Sequence, residues 1–198
     1  MKIFKNFIDL KIELDNTKNL GFVPTMGGLH NGHISLIKHS KKKCKFTLVS
    51  IFVNPSQFNK KNDFRKYPRN LQKDISILNQ LKVDFLFLPN NKIIYKKKSE
   101  MKIKIKKNDK ILCAKYRPGH FEGVIAVINK FLLNIKAKYM FLGEKDFQQT
   151  FLIKKFIGKK FKTKIFVCKT IRDKNKVALS SRNYLLTNDD LKNSSTIA

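Results

Sequence analysis

Acidic residues, arginine, glycine, histidine and cysteine are all scarce in this chain. Its three cysteines, Cys44, Cys113 and Cys168, are odd in number and widely spaced. That excludes a disulfide framework and any metal-ligand spacing, and it suits a reducing, cytoplasmic compartment. No apolar run approaches the ~18 residues of a membrane-spanning helix, so no membrane partner is expected. The opening MKIFKNFIDLKIELD reaches an acidic residue by position 9 and has no small-residue cleavage site, so it does not read as a signal peptide.

Acids number 14 against 43 basic residues, a formal charge of +29 at pH 7. Charge alone would point to nucleic acid. Only five of the basic residues are arginine, however, and the lysines run along nearly the whole chain. Arginine does most of the bidentate work on bases and phosphates. The excess of Lys, Asn, Ile and Phe fits a coding bias toward A/T-rich codons. No specific nucleic-acid partner is expected, although loose binding to polyanions is.

Against these shortages stand 42% hydrophobic residues and 17 Phe in 198 positions, enough for one packed domain. The pattern predicts strands at 20–24, 46–53, 83–89, 139–142 and 163–168. It predicts helices from Asn31 (capped near there) to about 44, over 70–81, from 121 to about 135, and over 147–157. VALS at 177–180 reads as a further strand or loop, and TNDDLKNSSTIA as a helix start capped by Thr187. The alternating KSEMKIKIKK predicts a small β excursion around residues 95–115. Strands alternating with helices imply an α/β fold, a doubly wound parallel sheet whose ligands sit at the carboxyl ends of the strands.

The scarce residues gather at those ends. PTMGGLHNGH, residues 24–33, holds three of the 8 glycines and two of the 4 histidines. Glycines between strand and helix let backbone approach a ligand, and the helix start offers N–H groups to an anion. Two imidazoles three apart can face one phosphate chain. The spacing fits neither a Walker loop nor GxGxxG. At 50–58, SIFVNPSQF places the neutral amides of Asn54 and Gln57 after a strand, where they can bond hydroxyl or carboxylate groups. FLGEKDFQQTF at 141–151 sets Glu144, Lys145 and Asp146 at a helix start. IRDKNKVALSSRN at 171–183 supplies two hydroxyls and an arginine fork. RPGHF at 117–121 serves a site or caps a helix equally well. His39 lies outside every motif and reads as a surface residue.

His30-Asn31-Gly32-His33 after a strand resembles the HxGH signature of the nucleotidylyltransferase superfamily. PTMGGLHNGH together with FVNPSQF, GEKDFQQ and Ser180-Ser181-Arg182, in that order, resembles the pantoate–β-alanine ligase family over nearly the whole chain. The resemblance implies a Rossmann-like fold. It implies that ATP is held by Met26, Gly27, Gly28, Leu29, His30, Asn31, Gly32 and His33, by Gly143, Glu144, Lys145 and Asp146, and by Ile171, Leu179, Ser180, Ser181 and Arg182. It assigns pantoate and β-alanine to Gln57, Gln149 and Asn54. It gives His33, His30, Lys145 and Arg182 catalytic parts, His33 as proton donor, with Mg²⁺ arriving on ATP rather than at a dedicated protein site. A homodimer is also implied. Residues 1–187 correspond to the nucleotide-binding domain. Residues 188–198 correspond to the start of a C-terminal domain whose loss would weaken retention of an acyl adenylate and uncover apolar surface. Asn183 is followed directly by Tyr184-Leu185-Leu186, whereas the family usually has one residue between that Asn and Tyr-Leu. The rival readings are another HxGH adenylyltransferase, an inactive remnant, and a nucleic-acid-binding protein.

Overall fold

The computed structural model describes residues 1–95, 103–158 and 160–197. Within them the strands are β1 (Lys2–Phe4), β2 (Leu20–Thr25), β3 (Phe46–Ile51), β4 (Phe85–Phe87), β5 (Tyr139–Gly143) and β6 (Lys164–Cys168). They form one parallel sheet in the order β1-β4-β3-β2-β5-β6. The helices are α1 (Phe7–Leu14), α2 (Asn31–Lys43), α3 (Lys61–Lys66), α4 (Leu71–Gln80), α5 (Asn91–Ile94), α6 (Cys113–Tyr116), α7 (His120–Asn134), α8 (Phe147–Ile157) and α9 (Asn188–Ser194).

Strand side chains alternate between the two faces of the sheet, so each strand feeds two cores. Phe22, Leu48, Phe85, Phe87, Met140 and Leu142 pack with α1, α7 and α8. Their neighbours Val23, Val49, Leu86 and Phe141 pack with α2 and α4. Chain order explains the split. Connections running from β1 toward β6 use α1, α7 and α8, whereas those running the other way use α2 and α4. One handedness of crossover places the two sets on opposite faces. Phe22, Phe87, Phe131 and Phe141 are fully buried, each contributing about 1.5–3 kcal/mol of transfer free energy.

The direction reverses between β2 and β5. Their pairing covers only Gly21↔Tyr139 and Phe22↔Met140, after which the strands diverge. Pro24 follows from this. Thr25 accepts from Phe52 N on the β3 side, so the alternate Pro24 turns its missing N–H toward β5, where the ladder has already ended. A crevice therefore opens at the carboxyl ends of β2 and β5, where a doubly wound sheet binds ligands.

The structure refines three sequence expectations. The β excursion falls partly on residues 96–102, outside the described residues. The rest of that stretch forms a 3₁₀ turn at Lys107–Asp109 and the helical turn α6, not strand. The cap of α2, expected near Asn31, is His30, and Asn31 is the first helical residue. VALS contributes a single bridge, Arg172↔Ala178. The strand β1 and helix α1 went unread because a three-residue edge strand leaves almost no periodicity. Thr187 does cap α9, in a reciprocal pair with Asp190.

Candidate active site

After β2 the chain turns through Gly27 (φ +78°) and Gly28 (φ +61°), backbone angles that side-chain-bearing residues rarely adopt. The turn does not offer its amides to a ligand. Gly27 N donates to Thr25 Oγ1 (3.2 Å), Gly28 N to Asp74 Oδ2 (2.9 Å) and Leu29 N to Asp74 Oδ1 (2.8 Å). Leu29 itself is buried in the α2–α4 core. The expectation of a backbone phosphate cradle is thus corrected: these N–H groups are already satisfied inside the protein.

The imidazoles complete the turn. His30 Nδ1 accepts from Gly32 N (3.1 Å), and His33 Nδ1 accepts from His30 N (3.4 Å). A Cβ on Gly32 would lie 2.7 Å from His30 Cε1, so the glycine between the histidines makes room for the ring. The rings pack 4.2 Å apart. Burial first, then Lys145, lowers the His30 pKa to about 4. Burial, His30 and Lys145 lower that of His33 to about 3. Both rings are therefore neutral at pH 7. With Nδ1 accepting, each carries its proton on Nε2 and is a hydrogen-bond donor without charge. The positive charge at this end comes from Lys145, whose Nζ also donates to Leu179 O (3.1 Å).

His30, His33, Met26, Lys145, Asp146, Gln57, Gln149 and Ser180–Arg182 line one cavity of about 190 Å³. A cleft of about 120 Å³ shares the two histidines with it and is walled also by Gly143, Ile171 and Leu179. A Cβ at Gly143 would meet nothing within 4 Å, so there is open space over that backbone. Asn31 and Glu144 are exposed and line neither space.

Residues 180–182 lie across the turn. Ser181 is buried and donates to Gly28 O (2.9 Å) and Gly27 O (3.5 Å). Arg182 forks onto Asp63 at 2.9–3.2 Å, its guanidinium 5.2 Å from the Tyr67 ring and 5.8 Å from that of Phe58. Ser181 and Arg182 were expected to meet phosphate; their hydrogen bonds here go to the glycine turn and to α3.

Across the cavity, Asn54 is 1% exposed and caps the 3₁₀ turn Pro55–Gln57. Its Nδ2 donates to Gln57 Oε1 (3.0 Å) and Gly123 O (3.1 Å); its Oδ1 accepts from Ser56 and the Tyr95 hydroxyl. Asn54 has little left for a substrate, which corrects the expectation of direct contact. With Gln57 Oε1 held by Asn54, the Gln57 NH₂ is the end left for the cavity, near Met26 Sδ (3.0 Å). His120 settles the ambiguity of RPGHF: its Nδ1 donates to Gln57 O (2.6 Å), anchoring the same turn. The Gln149 side chain lines both spaces and has no hydrogen bond to the described residues. The far wall is apolar, from Val124, Val127, Ile128 and Phe131 of α7.

Sequence reasoning missed Asp74, Asp63, Tyr67 and Tyr95. Asp74 alone left a trace: it is a scarce acid in line with the apolar stripe Leu71-Ile75-Leu78 of α4.

A parallel doubly wound sheet with this crevice and paired imidazoles at the central helix start defines a Rossmann-like enzyme. A profile of the pantoate–β-alanine ligase family matches residues 2–198. The pantothenate synthetase of Francisella tularensis subsp. mediasiatica (strain FSC147) is 48% identical over 190 residues, 95% of this chain and 73% of that protein. The crystal structure of the Francisella tularensis pantoate–β-alanine ligase, complexed with β-γ ATP and β-alanine, has a TM-score of 0.95 and 45% identity. It covers 100% of this chain and 77% of its own. Pantothenate synthetase from Thermus thermophilus gives 0.94 at 31% identity over 98% and 71%. The chain belongs to the pantoate–β-alanine ligase family.

Proposed function

We propose that the chain joins pantoate to β-alanine at the expense of ATP, through a pantoyl adenylate. A pantoate carboxylate oxygen attacks the α-phosphorus, the bond to the β-phosphate oxygen breaks, and pyrophosphate leaves with the electron pair. The β-alanine amine then attacks the acyl carbon, the acyl–oxygen bond breaks, the amine loses a proton, and AMP and pantothenate result. Neither step needs a side-chain nucleophile, and no cysteine lines the cavity.

The observation that carries this reading is one cavity bounded by two neutral imidazole donors and Lys145 on one side and by Gln57 and Gln149 on the other. Fixed donors beside charge that shifts toward pyrophosphate stabilise the transition state without reorganising. His33 acts by donating a hydrogen bond from Nε2; at its depressed pKa it is not a standing imidazolium. Lys145 supplies the compensating charge. Ile171, Leu179 and the open backbone of Gly143 offer a slot for the adenine. The Gln57 and Gln149 amides suit a hydroxy acid, and the α7 wall suits its two methyl groups. The apolar α7 wall helps to keep water from the adenylate. Among the described residues no cluster of three His, Cys, Asp or Glu forms a metal cage. Asp74 and Asp63 are bound to partners and Asp146 lines the cavity. In this reading Mg²⁺ arrives with ATP, as part of the substrate.

Pyrophosphate–ATP exchange, with and without pantoate, tests the reading. Exchange that requires pantoate and is lost in His33→Ala supports it. Exchange independent of pantoate would assign another adenylyl acceptor, and no exchange would mark an inactive chain.

A further inference from the structure

The Gly27–Gly28 turn is gripped from two sides by residues to which the proposed chemistry gives no reacting atom. On one side, Asp74 of α4 is 2% exposed and has no ion pair among the described residues. A buried carboxylate is costly unless hydrogen-bonded, and this one receives both Gly28 N and Leu29 N, one on each oxygen. On the other side, Ser181 donates to the carbonyls of Gly27 and Gly28. The left-handed turn makes both grips available at once, because it directs amides to α4 and carbonyls to residue 181. His30 follows immediately and starts α2.

We propose that Asp74 is a positioning residue for the nucleotide. Acting through the glycine turn, it fixes both the helix start that carries His30 and His33 and the seat of Ser180–Arg182. The inference rests on the reading that ATP occupies this cavity. It explains why the turn needs an acid rather than an amide. Two N–H groups face the side chain, asparagine offers one acceptor oxygen, and its NH₂ would oppose the second N–H. It also explains why glycine is required at position 27, where a Cβ would lie 2.9 Å from Asp74 Oδ2.

Steady-state kinetics of Asp74→Asn test the proposal. The expected result is a KM for ATP raised about tenfold, the effect of losing one charge-assisted hydrogen bond, while the KM for pantoate moves by less than about twofold. Gly28→Ala presses the same turn from the other side, its Cβ 3.2 Å from that of Ser181 at a φ of +61°. It is expected to give the same selective loss, and it decides the question if Asp74→Asn does not fold. An ATP KM within about twofold of the parent, or equal rises for both substrates, would overturn the proposal. A parent chain that shows no pantoate-dependent exchange overturns the functional reading instead, so the two failures are distinguishable.

Discussion

Two turns follow two adjacent strands and use the same local device for different ends. After β2, His30 is the N-cap of α2 and its backbone N–H holds the Nδ1 of His33, three residues on. After β3, Asn54 is the N-cap of a 3₁₀ turn and its amide holds Oε1 of Gln57, also three residues on. In each, the first polar residue orients the second, and the second presents an N–H to the cavity. The difference lies in the surroundings. The histidine turn sits beside Lys145 and, under the proposed reading, meets the accumulating negative charge. The glutamine turn faces the apolar side of α7 and, under the proposed reading, holds the hydroxy acid. In both motifs the earlier residue braces the later one, and His30 in addition lines the cavity itself.

Breaking the first turn at its working end should have the largest effect. His33→Ala is expected to lower the pantoate-dependent exchange rate by about 10²–10³-fold at saturating substrate, as loss of a transition-state donor does. The second turn should respond in KM instead. Gln57→Ala is expected to raise the KM for pantoate by about tenfold to a hundredfold with little change for ATP. Asn54→Ala should reproduce most of that loss. The double variant should be no worse than Gln57→Ala, because one residue acts through the other. Additive losses would show that Asn54 contacts substrate itself. A smaller effect is expected of Gly32→Ala, which drives a Cβ to within 2.9 Å of two atoms of the His30 ring. Displacing the brace should cost about tenfold in rate without altering the KM for pantoate.

The gentlest probe is acid. Both imidazoles are held below the unfolded value of 6.5, at about 4 and about 3. Their contribution to stability is complete above pH 6.5 and is lost as pH falls toward those values, because the unfolded chain binds protons that the folded chain refuses. Near pH 5, unfolding of the parent should take up about two more protons than unfolding of the His30→Gln/His33→Gln variant. Denaturant midpoints compared between pH 7 and 5 measure this, and parallel slopes for the two proteins would remove the neutral pair from the comparison.

Much of this was legible in the linear chain. Apolar runs such as FTLVSIFV and the helical stripe of NLQKDISILNQL located the main elements. The clustering of scarce glycine and histidine at 24–33 located the crevice. The residues 143–149 and 180–182 fell on the same rim because parallel strands put all their carboxyl ends on one side. Less legible was what each polar atom does. Asn54 and Ser181 look like ligand-binding residues in the sequence, yet their bonds run to Gln57, Gly123 and the glycine turn. Asp63 gave no signal, since its partner Arg182 lies 119 positions away.

The sequence by itself determined the parallel α/β class, the family resemblance and the rim on which the chemistry-bearing residues gather, because periodicity and short motifs are local. Only the tertiary structure decided which N–H groups remain for a ligand and which are consumed by Asp74, and that the two histidines are neutral. Hydrogen-bond partners and burial depend on groups brought together from distant segments, and a pKa is set by that enclosure, which no local pattern encodes.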